Sequence, residues 1–141
     1  MDTARMQEQF ERMAEKARHS FWGYVGCEIE RIDERQVVVS LDVKEHHLNL
    51  IGILHGGVHA TLLDSAMGLV AMMARPDVDV VTSNLNLHFT APAGLGPVAA
   101  VAEIAHLSGR MITTQGRLTR PDGTLCAMAT ASFRVIERKG P

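Results

Sequence analysis

The stretch that decides the fold is an apolar segment at residues 55–74, which reads HGGVHATLLDSAMGLVAMMA. It contains few β-branched residues, and this favours a helix over a strand. Apolar residues fill most positions from Val58 to Ala74, which predicts a helix that is buried on nearly all sides. The helix is expected to end at Arg75, because Pro76 disfavours the helical conformation in the residue before it.

Segments with the two-residue period of β-strands surround this helix. Two predicted strands, at residues 27–33 and 36–43, come before it, and four more follow at residues 80–90, 98–107, 111–119 and 124–136. An amphipathic helix is predicted over residues 3–20, and the aromatic tract at residues 21–26 breaks it. This order predicts an α+β fold, in which an antiparallel sheet of about six strands wraps around one long central helix, with a further helix at the N-terminus.

The strand at residues 80–90 alternates without interruption in the sequence. The alternation predicts two faces, one with Val81, Ser83, Leu85, Leu87 and Phe89 and the other with Thr82, Asn84, Asn86, His88 and Thr90. Residues 44–54, which lead into the central helix, are rich in histidine and asparagine and are predicted to form a loop.

Composition excludes several classes of function. The 141 residues suit one domain, residues 1–141. With 14 basic and 16 acidic residues the formal net charge is −2, so the chain has no general attraction for nucleic acid or an anionic membrane. An aromatic content of 4% argues against a platform for stacking single-stranded bases.

Three further features predict a soluble, cytoplasmic protein. The first residues lack the apolar core of a signal peptide. The apolar residues 58–74 are too short, at about 17, and too polar to span a bilayer. Cys27 and Cys126 follow no metal or redox spacing, and we interpret them as two small buried thiols in a reducing compartment rather than as a bridge.

Asp64 is the most informative residue, because it is an acid in a helix otherwise suited to full burial. An ionised carboxylate in apolar surroundings is costly and is rarely kept without a partner or a task. Such a residue is a candidate general base. The alternative is a structural carboxylate, either satisfied by backbone or threonine donors or exposed along one stripe of the helix.

His55, Gly56 and Gly57 open the same helix. Glycines there allow another group to approach the backbone closely, and the free N–H groups of a helix N-terminus point at whatever binds. Such an end stabilises negative charge, including the oxyanion of acyl transfer. A flexible helix entry is the alternative explanation.

Other chemistries find little support. Four histidines close in sequence invite a metal site: His46, His47, His55 and His59. At about 100° per residue, however, Asp64 lies about 180° from His55 and 140° from His59. One helix therefore cannot direct His55, His59 and Asp64 at one metal ion. The sequence has no Gly-x-Ser-x-Gly elbow, P-loop or dinucleotide fingerprint, and neither cysteine has a histidine beside it. These local motifs do not test a catalytic triad that is assembled from distant segments of the chain.

The motif around the helix entry resembles that of the PaaI-type hotdog-fold acyl-CoA thioesterases. Asn49 stands six residues before His55, Gly56 and Gly57 follow that histidine, and Asp64 comes nine residues after it. The resemblance implies hydrolysis of an acyl-CoA thioester without a metal or other cofactor. It implies Asp64 as general base or nucleophile and the N–H of Gly56 as oxyanion donor. Gly57 would allow the close approach, and Asn49 and His55 would hold the thioester or the attacking water.

The same resemblance implies further site residues and an assembly. A hydroxyl on the third strand matches Thr82, with Ser83 one register away, and Arg110 in the hairpin at residues 108–110 is a candidate for a coenzyme phosphate, the alternative being a solvated turn residue. The family's sites lie between two subunits, which implies a homodimer with shared sites, often paired into a tetramer.

Two other functions stay open. A non-catalytic hotdog module would bind acyl-CoA without cleaving it, and a hotdog thioester dehydratase would use a different arrangement of His and acid. Residues that fit an acyl tunnel fit the core equally well: Leu48, Leu50, Ile51, Leu54 and Met67. The acyl group is therefore left open.

Overall fold

The computed structural model describes residues 3–33 and 35–137. Its helices are α1 (Thr3–Arg18), α2 (Phe21–Val25) and α3 (Gly56–Ala74), with a 3-10 turn at Glu45–His47. Its strands are β1 (Glu28–Ile32), β2 (Gln36–Val43), β3 (Asp79–Phe89), β4 (Gly96–Leu107), β5 (Met111–Thr119) and β6 (Leu125–Ile136). The strands form one antiparallel sheet in the order β1-β2-β4-β5-β6-β3. The predicted α+β architecture is confirmed.

The core lies between α3 and the inner face of the sheet. Leu62, Leu63 and Met67 of the helix are fully buried against alternate residues of the strands. The helix packs closely against β5 at Gly116, where an added Cβ would lie 3.1 Å from the side chain of Leu63. By length and composition alone, the 19-residue helix could cross a membrane, contrary to the expectation that it was too short and too polar. Its place in the core accounts for this composition.

One face of α3 is open, which corrects the expectation of a helix buried on nearly all sides. Residues at helical spacing along this face are half-buried or exposed: Gly57, Ala60, Thr61, Asp64, Ser65, Gly68 and Met72. The sheet curves around the helix without closing, so a stripe on the side of β3 stays uncovered. We call these residues the open stripe of α3.

A β-bulge in β3 breaks the predicted alternation. Thr82 pairs with Phe133 and Asn84 with Ser132, so Ser83 is an extra residue without a partner in the register. Val80 and Leu85 both pack towards the core although they are five residues apart, and Val81 is 44% exposed. The two predicted faces are therefore wrong before the bulge, where Thr82 belongs with the residues that face the helix.

Two segments before α3 differ from the expectation. The aromatic tract at residues 21–26 forms the short helix α2, which ends at Gly26 in the left-handed conformation, φ 99°. His47, in the predicted loop, is buried and tied at both ring nitrogens. Its Nδ1 accepts from the N–H of Lys44 at 2.9 Å, and its Nε2–H donates to the carbonyl of Val25 at 2.6 Å. This histidine fixes the segment that leads into α3.

Candidate active site

Asp64 lies on the open stripe of α3 and contacts β3. The hydroxyl of Thr82 donates a hydrogen bond to its Oδ1 at 2.9 Å. The other carboxylate oxygen, Oδ2, has no hydrogen-bond partner in the part of the chain that the structure describes. A half-buried carboxylate that is held by one oxygen and open at the other has the geometry to accept a proton from water.

The N-terminal end of α3 has one free donor. Among the first N–H groups of the helix, that of Gly57 donates to Nδ1 of His55 at 2.8 Å, and those of Val58 and His59 donate to the carbonyl of His55. The N–H of Gly56 donates to no group in residues 3–33 or 35–137. It lies where the helix dipole is positive, so it suits a developing oxyanion.

His55 is the N-cap of α3. Because its Nδ1 accepts from a backbone N–H, the neutral ring carries its proton on Nε2, and that N–H is left for a ligand. An added Cβ on Gly57 would lie 3.0 Å from the same Nδ1, so the glycine lets the cap close. The helix entry is thus a defined cap rather than a flexible one.

Asn49 holds the loop in front of this cap. Its Oδ1 accepts from the N–H groups of Ile51 and Ile53, at 3.1 and 3.2 Å. The carbonyl oxygen is therefore committed to the backbone, and only the side-chain NH₂ is left to bind a substrate or a water.

Asp64 and Gly56 of one chain are too far apart to act on one thioester. They are eight residues apart on the same helix, which at 1.5 Å per residue is about 12 Å along its axis. A base and an oxyanion donor must each lie within about 3 Å of the atoms of one reacting group. One chain therefore does not bring these two candidate groups to one reacting group.

Residues 51–127, more than half of the chain, match the family described as the thioesterase superfamily. The chain belongs to this family. The resemblance to PaaI-type proteins and the hotdog fold are confirmed, and the chain is a thioester hydrolase by family.

Three known proteins illustrate the likeness. Human acyl-coenzyme A thioesterase 13 is 34% identical over 61 residues, 43% of this chain and 44% of that protein. The 1,4-dihydroxy-2-naphthoyl-CoA hydrolase of Listeria monocytogenes is 27% identical over 116 residues, 82% of this chain and 94% of that protein. The solved structure of a mutant of the phenylacetic acid degradation protein PaaI from Thermus thermophilus has a TM-score of 0.76 and 28% identity and covers 82% of this chain and 98% of its own.

The remaining sequence-predicted residues of this thioesterase lie apart from Asp64. The hydroxyl of Ser83 donates to the carbonyl of Ser132 at 3.1 Å, so it holds the bulge to β6. Arg110 lies at the hairpin between β4 and β5, in a groove that it shares with Arg134 of β6. Of the two candidate hydroxyls, the structure brings only Thr82 to the acid.

The histidines and cysteines of this thioesterase do not gather into one site among the described residues, and two of the histidines have structural roles. His47 holds the loop and His55 caps the helix. No group of three His, Cys, Asp or Glu side chains within residues 3–33 and 35–137 could hold a metal ion. Both cysteines are free, and burial raises the pKa of Cys27 to about 12 and also raises the pKa of Cys126, so both stay protonated thiols at neutral pH.

Three residues near the candidate site were not predicted from the sequence: His59, Phe89 and Arg134. Phe89 lies against Gly56, His59 contacts Phe89, and Arg134 lines the same groove as Arg110. The i, i+4 spacing of His55 and His59 is visible in the sequence, but by itself it indicates only that the two histidines share a helix face. Phe89 and Arg134 reach their neighbours through strand pairing, which local patterns do not encode.

Proposed function

We propose that this thioesterase hydrolyses an acyl- or aryl-CoA thioester to the free acid and CoA, with Asp64 as general base. The observation that carries the proposal is the carboxylate of Asp64, held at Oδ1 by Thr82 and free at Oδ2 on the open stripe of α3. The names of the relatives support the substrate class, since two of them act on CoA thioesters.

The proposed reaction has two steps. Water attacks the thioester carbon and gives its proton to Oδ2 of Asp64, while the carbonyl oxygen becomes an oxyanion that accepts from the N–H of Gly56. The intermediate then collapses, the C–S bond breaks, and the sulfur takes the proton as CoA leaves. Direct attack by Asp64 on the carbon is the alternative. The free Oδ2 serves either route, and Thr82 holds the carboxylate through its other oxygen.

Release of free thiol from a panel of aryl- and fatty-acyl-CoAs tests this function. We expect turnover of at least one member by the wild-type protein. Folded protein that binds acyl-CoA and releases no thiol would favour a non-catalytic binding module. Addition of water across an enoyl-CoA double bond, without thiol release, would favour a dehydratase.

We propose that the working unit is a homodimer with shared sites. The incomplete site within one chain is one reason, and the edge of the sheet is another. β3 is an 11-residue edge strand whose outer side is unpaired among the described strands, and such an edge pairs readily with another chain. The open stripe of α3 lies on the same side, so a second copy at β3 would cover both.

Antiparallel pairing of two β3 strands joins the two half-sites. Thr82, which contacts Asp64, lies towards one end of β3. Phe89, which lies against Gly56, is the residue at the other end. A two-fold axis near Leu85 and Asn86 places Thr82 of each copy beside Phe89 of the other. Asp64 of one subunit then faces Gly56 of the second. We propose that such dimers pair further into tetramers.

Mixing two inactive variants tests the shared site. We expect Asp64→Asn and Gly56→Pro chains to recover activity when they are unfolded and refolded together, because a hybrid dimer contains one intact site. Random pairing gives about a quarter of the wild-type sites. Each variant refolded alone is the control. No recovery from a mixture shown to contain hybrids would contradict sharing.

We propose that Arg110 and Arg134 bind the phosphates of CoA. Both side chains line one groove at the hairpin, and neither pairs with a carboxylate in residues 3–33 or 35–137. Arg134 is paired across the sheet with Val81, the residue before Thr82, and both are exposed on the outer face of the sheet. Guanidinium groups suit phosphate oxygens because they donate two parallel hydrogen bonds.

Replacing Arg110 by Gln tests this groove. We expect kcat/KM for an acyl-CoA to fall about tenfold, since a hydrogen bond to a charged group is lost. The same acyl group on pantetheine, which lacks the nucleotide phosphates, should react equally well with both proteins. Arg117→Gln, an exposed arginine outside the groove, is the matched control. Equal losses with both substrates would contradict phosphate binding.

We propose a cytoplasmic location. The structure has two free cysteines, which fits a reducing compartment. The proposed substrate class supports the same compartment, because an acyl-CoA hydrolase must lie in the compartment that contains its acyl-CoA substrate. Fractionation of cells that express the full chain tests the location.

A further inference from the structure

His59 is a buried polar residue that the proposed chemistry does not use. Its side chain is 3% exposed in the second turn of α3, and its Nδ1 has no hydrogen-bond partner in the described part of the chain. Burial lowers its pKa, so the ring is neutral at neutral pH. A buried imidazole nitrogen without a hydrogen-bond partner is energetically unfavourable. His59 lies one turn from Gly56, so its contacts bear on the N-terminal end of the helix.

The ring of His59 contacts Phe89. The two rings meet edge to face, with centroids 5.3 Å apart and planes at 88°. Phe89 is the last residue of β3 and is 58% exposed within one chain, so the core of its own chain holds the ring only in part. Its Cζ and Cε1 atoms lie 3.4 and 3.5 Å from the position of a Cβ on Gly56. His59 on the buried side of α3 thus contacts Phe89, and Phe89 contacts Gly56, the residue with the free N–H.

We propose that His59 is a positioning residue that fixes Phe89 against Gly56, and that Phe89 shields the Gly56 N–H from bulk water. An oxyanion donor is more effective where water is excluded and where no reorganisation is needed during the reaction. The inference rests on the proposed role of Gly56 as oxyanion donor. It adds that the donor depends on an aromatic pair contributed by α3 and the end of β3.

Four variants test the pair. His59→Ala removes the support, and His59→Phe restores an aromatic ring. Phe89→Leu removes the shield. His88→Ala is the matched control, since His88 is the exposed neighbour of Phe89 in β3. We expect kcat to fall about tenfold in His59→Ala and in Phe89→Leu with KM within about twofold, because an aromatic contact of this strength is lost. His59→Phe should recover most of the loss.

A second measurement needs no substrate. The Phe89 ring lies close enough to Gly56 to shift its NMR signals. We expect this shift in the wild-type protein, and we expect it to diminish in His59→Ala, to vanish in Phe89→Leu and to persist in His88→Ala. The double variant His59→Ala/Phe89→Leu should be no worse in kcat than either single one. Circular dichroism checks that each variant is folded. If His59→Ala is not, His59→Leu replaces it, because leucine fills the buried position without an aromatic ring.

The outcomes separate this inference from the proposed function. Additive losses in the double variant, or a Gly56 signal that His59→Ala leaves unchanged, would overturn the positioning role. A changed signal with unchanged kcat would overturn the shielding role. A wild-type protein without thioesterase activity would reject the proposed function, and the Gly56 signal would still decide whether His59 positions Phe89.

Discussion

We expect replacement of Asp64 by Asn to lower kcat for acyl-CoA hydrolysis by about 10²- to 10⁴-fold and to leave KM nearly unchanged. Asn has the same shape, and its carbonyl oxygen still accepts the hydrogen bond from Thr82, so the fold and the position of the group are kept. The loss is in proton transfer, because an amide does not take a proton from water. Free-thiol release under saturating and limiting substrate separates kcat from KM.

The matched control for this variant is Asp77→Asn, which removes an exposed carboxylate just after α3. It has the same effect on net charge and should keep the wild-type rate. An Asp64→Asn protein that retained most of its turnover would remove Asp64 from the mechanism. A loss confined to KM would assign it to binding instead.

We expect replacement of Gly56 by Pro to lower kcat by about 10²- to 10³-fold, the effect of removing one oxyanion donor. The fold should tolerate the change. Gly56 is the first residue of α3, a position that proline favours, and its N–H makes no bond that the helix would lose among the described residues. His55 already has φ −61° and ψ 135°, the conformation required of a residue before proline.

Gly56→Ala is the control for this variant, because it adds a Cβ and keeps the N–H. The new Cβ would meet Phe89 at 3.4 Å, an ordinary contact, so Gly56→Ala should retain far more activity than Gly56→Pro. Circular dichroism and thermal unfolding compare the folds of the two variants. Equal activity in folded proteins would show that the Gly56 N–H is not the oxyanion donor.

The periodic elements of the fold were predictable from local sequence. β2 and β5 have their predicted ends, and α3 was recognised from an apolar segment poor in β-branched residues. The hydrophobic pattern specifies these elements because each has one face against the core. The bulge at Ser83 was not predictable, since an extra residue in one strand depends on how the partner strand pairs with it.

The open stripe of α3 shows a second limit. The residues of this stripe are mostly small or apolar, so their sequence does not differ from that of a buried face. Only the curvature of the sheet decides which side of the helix is left uncovered. Asp64 was recognised as unusual from its position, but its contact with Thr82 comes from β3, which joins the sheet at an edge.

The strand order also bears on when the site forms during folding. β3 pairs with β6, the last strand in the sequence, and not with β4, which follows it directly. Asp79 pairs with Ile136, and such non-local pairing is slow because a long stretch of chain must be ordered first. A nascent chain can form the hairpin of β4 and β5 before it has β6. The acid and its threonine are therefore expected to come together only after the C-terminal strand has been made, which keeps the proposed catalytic pair apart in partly folded chains.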